Sequence, residues 1–481
     1  MAVNTWDGAS DTNWNDAANW NTTGVTDRVP TSADDVVIAN VSNDPVIPDS
    51  LNPEIKSLLI ESGGHLTCGA NTITINGIAS SWSVDVVSGG ELVNSDCTFL
   101  FNSAADQKVR LLGTGNFHNV TVSKSDNDMV QGSNLTIEGD LSLTFATAHT
   151  WRPNSASHTL TVTGDVTIVE GKLGDVTNYT GAISFGSLTI ESGGTYIATS
   201  GTTTITSETS GGVAVSNSGT FTHNSGTVEI QTPAATFTSP VNYNNLIINH
   251  ASAAVKFTGS SGSTMTIAGN LTITQGSFEN NISDANLTVT GYVDVTGTIT
   301  GNSGAMSFGS LTINSGGTYN ATSGTTTITN KNSSNYMFFD AGTFTHNNGT
   351  VHFKADTSSG TWYAVKGHST EDTTEFYNVT TERVGSSVGN YRVCVGGSNQ
   401  FFTVRNNLTI AANCKMFSSN GSSILRHSGL AIIDGELDLD SFTDIEMGAV
   451  TINSGGTLEF DNGSITIKAE SLRNVGGTIN A

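Results

Sequence analysis

Short runs of alternating apolar and hydroxyl-bearing residues recur along the chain, separated by corners rich in Gly, Asn and Ser. Side chains alternate between the two faces of a strand, so Leu188 and Ile190, and then Thr203 and Ile205, are predicted to face inward, while Thr189 faces outward. Apolar residues at helical spacing are almost absent. The pattern predicts an all-β protein whose strands are too short to be stable singly and must stack on neighbouring turns.

A long repeat organises these strands. Residues 184–206 return almost unchanged at 307–329, and 219–230 return at 342–353 with the same offset of 123 residues. The first of these matches differs only at Glu191/Asn314 and Ile197/Asn320, positions that we therefore expect to point outward or to lie at a corner. Diverged copies extend the pattern and predict long units at 57–183, 184–306 and 307–448, with a partial unit at 449–481.

Two β architectures fit a repeat of this length. One is an elongated parallel β-helix, right-handed by the usual connection rule. The other is a string of β-sandwich domains, each of about 100 residues. The β-helix is favoured because the strand motifs are closely spaced and turn glycines follow them directly, as in LTIxSGGT. We expect residues 36–481 to form this solenoid.

Two passages carry a resemblance to known proteins. SLLIESGGHLTCGANTITING at 57–77 and TLTVTGDVTI at 159–168 resemble the coils of parallel β-helix adhesins, autotransporter passenger domains and bacteriophage fibre or appendage proteins. The resemblance implies a scaffold and carries no catalytic residues.

The first 35 residues differ from the repeats and contain Trp6, Trp14 and Trp20, half of the six tryptophans in the chain. This segment is similar to the one with which many bacterial and viral β-helix proteins begin. We predict a cap or attachment segment at 1–35 that covers the first coil and blocks pairing at its edge. The alternative is a sugar-binding face on which the rings stack.

Charge and cysteine content restrict the partners. The 481 residues include 18 Lys and Arg against 42 Asp and Glu, for a net charge of −24, so nucleic acid is not an expected partner. Four separated cysteines, Cys68, Cys97, Cys394 and Cys414, form no CxxC pair; isolated buried thiols are expected, with disulfides left open. The start of the chain does not resemble a secretory signal and no run is long and apolar enough to span a bilayer, so we expect cytoplasmic synthesis without Sec-type export and no membrane insertion.

The repeat is interrupted at 354–400, where aromatic and basic residues gather in a chain that is otherwise poor in both. Binding residues often occupy such interruptions of a rigid scaffold. Divergence with a few packed aromatics is the alternative. The candidate binding residues are Trp362, Tyr363, Tyr377, Arg383, Tyr391 and Arg392.

A second candidate is acidic. Alternation along IIDGELDLDSFTDIEMG at 432–448 places four carboxylates on one strand face. No cofactor is expected, and Ca²⁺ at this face is the one exception that the sequence leaves open. The alternative is a solvated outer face, with Leu437 and Leu439 packed inward. The candidate metal ligands are Asp434, Glu436, Asp438 and Asp440.

These observations predict a non-enzymatic structural protein of a bacteriophage virion: a fibre, spike or capsid-surface appendage, located on the virion surface. Its expected partners are other virion proteins, reached through one or both ends, and a host-surface glycan or protein. A homo-oligomer is expected, with a trimer as one form because similar phage fibres are often trimers. The alternatives are a bacterial cell-surface adhesin and a tailspike depolymerase that uses paired carboxylates.

Overall fold

The structure is a computed structural model. It describes residues 2–146, 148–175, 179–233, 236–237, 241–257, 262–280, 285–356, 361–367, 373–384, 391–395, 400–418, 423–440, 442–460 and 467–480. Side chains are described for these residues except 237, 355–356, 361–363, 391–395 and 467. Two compact units divide the chain, Met1–Ser239 and Pro240–Ala481.

The first unit consists of short strands and one 3₁₀ helix, Ala17–Asn19. Its strands are β1 Val3–Trp6, β2 Trp20–Thr22, β3 Asp35–Ile38, β4 Val46–Ile47, β5 Glu54–Ile55, β6 Ser57–Ile60, β7 His65–Cys68, β8 Thr72–Ile75, β9 Val84–Val86, β10 Glu91–Asn94, β11 Thr98–Phe101, β12 Gln107–Leu111, β13 Asn119–Lys124, β14 Met129–Gln131, β15 Leu135–Ile137, β16 Leu141–Phe145, β17 Thr150–Pro153, β18 Leu160–Leu173, β19 Ile183–Ile197, β20 Thr202–Ile205, β21 Val213–Asn217, β22 Thr220–Thr222, β23 Thr227–Ile230 and β24 Thr236–Phe237.

The second unit is built in the same way. Its strands are β25 Asn245–Phe257, β26 Thr264–Ile267, β27 Leu271–Asn280, β28 Asn286–Val295, β29 Thr298–Thr300, β30 Met306–Ile313, β31 Thr318–Asn320, β32 Thr325–Ile328, β33 Tyr336–Asp340, β34 Thr343–Thr345, β35 Thr350–Asp356, β36 Thr361–Lys366, β37 Glu375–Phe376, β38 Asn378–Val384, β39 Tyr391–Val395, β40 Phe401–Val404, β41 Leu408–Ile410, β42 Cys414–Ser418, β43 Ser423–His427, β44 Leu430–Ile433, β45 Glu436–Asp438, β46 Phe442–Asn453, β47 Thr457–Glu459, β48 Ile467–Val475 and β49 Thr478–Asn480.

Parallel pairing between strands one turn apart makes each unit a β-solenoid. Strand β11 pairs in parallel with β8 on one side and with β13 on the other. Stacking at about 4.8 Å per turn aligns apolar side chains in columns along the ladder. The side chains of one such column are each at most 2% exposed; they are Ile73, Phe99, Val120, Leu141, Val166, Leu188 and Val215. The parallel β-helix prediction is confirmed and the tandem-sandwich alternative is wrong, while handedness stays a prediction.

The tryptophan-rich segment begins the first ladder. Strand β1 pairs in parallel with β3, and β2 runs antiparallel along the other edge of β1. The three tryptophans, Trp6, Trp14 and Trp20, are at most 1% exposed. The Trp20 ring makes edge-to-face contacts with the other two, with centroids 5.0 Å from Trp6 and 4.8 Å from Trp14. The segment therefore covers a ladder edge and buries its rings. The alternative, a sugar-stacking face made by these rings, is wrong.

The two near-identical passages have matching interiors. Tyr196 Oη is hydrogen-bonded to Thr203 Oγ1 at 2.7 Å, and the equivalent Tyr319 Oη to Thr326 Oγ1 at 2.6 Å. The four side chains predicted to face inward, Leu188, Ile190, Thr203 and Ile205, are each 1% exposed. Ile197 is buried with 8% exposure, so it does not point outward, but it is the last residue of β19 and adjoins the corner that follows.

The recurring SGG corner has a steric cause. Gly316 adopts φ +87°, in the left-handed region that favours glycine. A Cβ on the following Gly317 would lie 2.2 Å from the carbonyl oxygen of Val295, in the previous turn. The first glycine therefore makes the bend, and the second lets one turn of backbone approach the next.

Candidate functional site

The predicted binding segment at 354–400 contributes strands to the parallel ladder of the second unit. Thr361 of β36 pairs with Arg392, Trp362 with Val393 and Tyr363 with Cys394 of β39. The side chains of Trp362, Tyr363, Tyr391 and Arg392 lie outside the described part of the structure, as do residues 368–372 entirely. The register places Trp362, Tyr363 and Arg392 on adjacent strands, and their role in binding stays a prediction.

Two candidates in this segment have described side chains. The ring of Tyr377 stacks on that of His346, with centroids 5.5 Å apart and planes at 27°. Arg383 is half-buried on β38 and lies near Cys414. Burial raises the pKa of the Cys414 thiol to about 12, and the positive charge of Arg383 lowers that pKa in part. Both side chains therefore pack against the solenoid.

The acidic strand surrounds a lysine. Lys415 Nζ lies 2.5 Å from Glu436, 2.9 Å from Asp438 and 3.2 Å from Glu459. These residues meet because β42 and β47 flank β45 in the ladder. Burial alone would lower the pKa of Lys415, but the hydrogen bonds to the three carboxylates outweigh it, and the pKa lies above its usual range. The ammonium group thus offsets much of the repulsion expected between these acids.

The other two predicted ligands lie at the ends of this strand. Asp434 Oδ1 accepts a hydrogen bond of 2.8 Å from Asn453 Nδ2, and Asp440 is half-buried beyond β45. Leu437 and Leu439 are fully buried, as predicted. Within the described residues, no group of three or more His, Cys, Asp or Glu side chains is placed to hold a metal ion, and the Ca²⁺ site stays a prediction.

The described part of the second unit also has a concave surface that the sequence did not indicate. It is an open groove of about 640 Å³ on one side of the second unit, within the usual size range of small-molecule sites. Outward-facing residues of β28, β30 and β33 line it, together with the turn 330–334 and Asn270. We call it the Tyr292 groove.

Side-chain amides hold the groove in shape. Asn332 Oδ1 accepts hydrogen bonds from the main-chain N–H groups of Ser334 and Tyr336, each at 3.0 Å. Its Nδ2 donates to Thr312 Oγ1 at 3.2 Å, which ties the turn 330–334 to β30. Across the groove, the side chain of Asn314 donates to Asp294 Oδ1. The walls are therefore cross-linked by hydrogen bonds between turns.

Aromatic rings add apolar surface to these polar walls. Tyr292 is 47% exposed, and Phe339 also lines the groove. Phe339 makes an edge contact with Tyr336, with centroids 5.8 Å apart, and Lys366 Nζ lies 5.0 Å from the Phe339 ring. This cation–π contact restrains the ring at the edge of the groove.

The groove offers little for hydrolysis. Among its lining residues, Asp294 alone carries a carboxyl group. Glycoside hydrolysis usually needs two carboxyl groups about 5 to 9.5 Å apart. The arrangement is thus suited to binding, with amide and hydroxyl groups as donors and acceptors and exposed rings as flat surfaces.

A comparison of the two repeat copies would have found this site. The stretches 198–206 and 321–329 are identical. The residues that follow them differ: 207–218 read SETSGGVAVSNS, and the equivalent 330–341 read NKNSSNYMFFDA. Only Ser210 and Ser333 match. The second copy has gained an aromatic and amide-rich stretch within a conserved framework, and that stretch forms one wall of the groove.

The last described turn exposes apolar residues. Leu472 and Val475 of β48 are 51% and 44% exposed, and Ile479 of β49 is 37% exposed. The prediction that this region contacts another virion protein stays a prediction. No helix in the described ranges is long and apolar enough to cross a bilayer.

Comparison with known proteins yields one partial match. A family described as "Domain of unknown function (DUF8693)" matches residues 5–131, which is less than half of the chain. The matched part includes the buried tryptophans and the first turns of the solenoid, and the Tyr292 groove lies outside it. No curated protein and no solved structure matches the chain.

Proposed function

We propose that the chain is a non-enzymatic structural protein of a bacteriophage virion, a fibre, spike or capsid-surface appendage that contacts the host surface through the Tyr292 groove. The observation that carries the contact is an open groove with polar walls, the exposed ring of Tyr292, the half-buried ring of Phe339 and one carboxyl group among its described lining residues. The placement in a virion rests on the resemblance of the coils to phage fibre proteins.

The scaffold is suited to this role. Stacked parallel turns bury long columns of apolar side chains, and each fully buried aliphatic side chain contributes about 1.5 to 3 kcal/mol. A solenoid also lengthens by duplication without a change of fold. Other virion proteins and further copies of the chain, a trimer among them, are the proposed structural partners.

Two experiments test the proposal. Mass spectrometry of gradient-purified virions should find the protein at a fixed copy number, and the recombinant protein should bind host cells and compete with virions for adsorption. Absence from virions together with presence on a bacterial envelope would instead establish the adhesin alternative.

The depolymerase alternative has its own assay. Host capsule and lipopolysaccharide are incubated with the protein, and released reducing ends are measured. We expect no release. Release that is abolished by Asp294→Asn, or by Asp→Asn changes in the 434–440 strand, would overturn the non-enzymatic proposal.

A further inference from the structure

We infer that the Tyr292 groove is a binding site for an uncharged oligosaccharide, because its walls differ from the equivalent surface one repeat earlier in their outward-facing side chains while the turn keeps the same backbone. The inference rests on the proposed function, because it names the chemistry of the host-surface contact. Three observations carry it: the conserved backbone, the changed side chains and the balance of charge.

The backbone of the turn is the same in both copies. In the first, the N–H of Thr209 donates to Val213 O at 3.0 Å; in the second, the N–H of Asn332 donates to Tyr336 O at 2.7 Å. The bend residue has φ +74° at Gly212 and +71° at the equivalent Asn335. The turn therefore forms with either sequence, and folding alone does not demand the side chains of the second copy.

The side chains differ in a consistent direction. Glu208 is replaced by Lys331, Val213 by Tyr336 and Ser216 by Phe339, the last of which lines the groove. These changes add flat apolar surface and hydrogen-bond donors. Tyr336 and Phe339 are half-buried, and a position that only tolerates variation would not be expected to carry partly exposed aromatic rings in place of small residues.

The opposite wall has changed in the same way. Ser187 of β19 pairs with Asp165, and the equivalent Ser310 of β30 pairs with Tyr292. In the first copy Ser187 Oγ donates to Asp165 at 2.6 Å. In the second, that carboxylate is replaced by a tyrosine that is 47% exposed. Both walls thus carry an aromatic ring where the equivalent position one repeat earlier carries a serine or an aspartate.

The chemistry of the walls selects the ligand class. Sugars present pairs of hydroxyl groups that both donate and accept hydrogen bonds, and the groove is lined mainly by residues with amide and hydroxyl side chains. Their C–H faces pack on aromatic rings such as Tyr292. Among the lining residues one negative group, Asp294, is balanced by one positive group, Lys331. The groove has no excess charge to hold an acidic sugar, and the chain's net charge of −24 repels one.

A peptide ligand fits less well. Extended peptides usually bind by adding a strand to a free sheet edge. Strand β30 is paired with β28 on one side and with β33 on the other, so its main-chain groups at the groove are already in the ladder. Recognition in the groove must therefore use side chains.

The test exchanges outward-facing residues and leaves the core intact. The exchange variant K331E/Y336V/F339S carries the residues of the first copy at equivalent positions, and Tyr292→Ala removes the opposite ring. Tyr292→Phe keeps the ring as the conservative control. Val169→Ala changes a 41% exposed residue of the first unit as a control outside the groove. Circular dichroism and urea unfolding establish that each variant is folded.

Binding is measured on an array of neutral hexose and N-acetylhexosamine oligosaccharides beside uronic-acid oligosaccharides of the same length, followed by titration with the neutral oligosaccharide that responds. We expect the wild type, Tyr292→Phe and Val169→Ala to bind alike. The exchange variant and Tyr292→Ala should each lose about tenfold or more in affinity. Binding to none of the neutral oligosaccharides, preference for the acidic ones, or equal binding by the folded exchange variant would overturn the inference.

Adsorption to host cells, measured in parallel, separates this inference from the proposed function. If the wild type and the exchange variant bind cells equally, the groove inference fails and host attachment stands. If the protein is absent from virions and does not bind host cells, the proposed function fails, whatever the array shows.

Discussion

The ammonium group of Lys124 lies inside the first unit, where the residue is 3% exposed. Its Nζ donates to the main-chain oxygens of Ser103 and Ala105, the latter at 2.7 Å, and to Gln107 Oε1 at 3.3 Å. Lys124→Met keeps most of the side-chain volume and removes all three donations. Three buried oxygen atoms then lose a charged donor.

The size of the effect follows from two opposing contributions. Hydrogen bonds from a charged donor contribute about 1.5 to 3 kcal/mol each. Burial lowers the pKa of Lys124 to about 8, although the nearby carboxylates of Asp106, Asp126 and Asp128 raise it in part. This lower pKa means that keeping Lys124 protonated in the folded protein costs about 3 kcal/mol, a cost that is absent in Lys124→Met. We expect Lys124→Met to lower the free energy of unfolding by about 2 to 5 kcal/mol at pH 7.

The pH dependence gives a second, independent readout. The folded pKa of about 8 lies below the reference value of 10.5, so the unfolded chain binds this proton more tightly. The wild type should therefore gain stability relative to Lys124→Met as the pH rises from about 8 towards 10.5, by up to about 3 kcal/mol. Below pH 8 the difference should be constant.

Urea unfolding followed by tryptophan fluorescence between pH 7 and pH 10 measures both quantities. Lys108→Met, at a half-exposed position on β12, is the control and should change stability by about 0.5 kcal/mol or less. If the difference in free energy of unfolding between wild type and Lys124→Met stays constant up to pH 10, the lowered pKa of Lys124 is refuted. Unchanged stability at pH 7 would refute the role of the three hydrogen bonds.

Three further predictions concern the solenoid. Gly317→Ala should destabilise the second unit by about 2 kcal/mol or more, because its Cβ would lie 2.2 Å from a carbonyl oxygen of the previous turn; an unchanged urea midpoint would contradict this. Tyr319→Phe should cost about 1 kcal/mol by leaving the buried Thr326 hydroxyl without its 2.6 Å partner, and Thr326→Val in the same background should add little. Oxidised glutathione should slowly link Cys68 to Cys97, since both thiols are buried and the neighbouring Cys97, together with burial, raises the pKa of Cys68 above its usual range. A peptide digest without the linked pair would contradict this prediction.

Much of the fold could be predicted from local pattern. Alternation alone identified Leu188, Ile190 and Ile205 as core residues, because a strand sends successive side chains to opposite faces whatever its partners are. The SGG corners marked where the chain turns, because left-handed φ values favour glycine. A difference between copies does not by itself indicate an exposed side chain, because Ile197 is buried at the end of β19 although its counterpart is Asn320.

The candidate sites depended on contacts between turns. Nothing in the order of residues along the chain shows that Lys415 lies among Glu436, Asp438 and Glu459, since that meeting is set by the pairing of β42, β45 and β47. The acidic strand was therefore predicted as a metal site without its lysine. Ionic contacts in a solenoid form between residues about 20 positions apart, and local alternation carries no information about them.

The amino-acid sequence by itself determined the strand periodicity, the duplicated interior and the all-β class, because these follow from side-chain alternation and glycine geometry within single turns. Only the tertiary structure decided that Tyr292, Asn314 and Phe339 share one groove, because the register of β28, β30 and β33 brings them together. It also showed that the tryptophans of the first segment are buried. Register is a property of the whole stack, since each turn is positioned by the turns on either side.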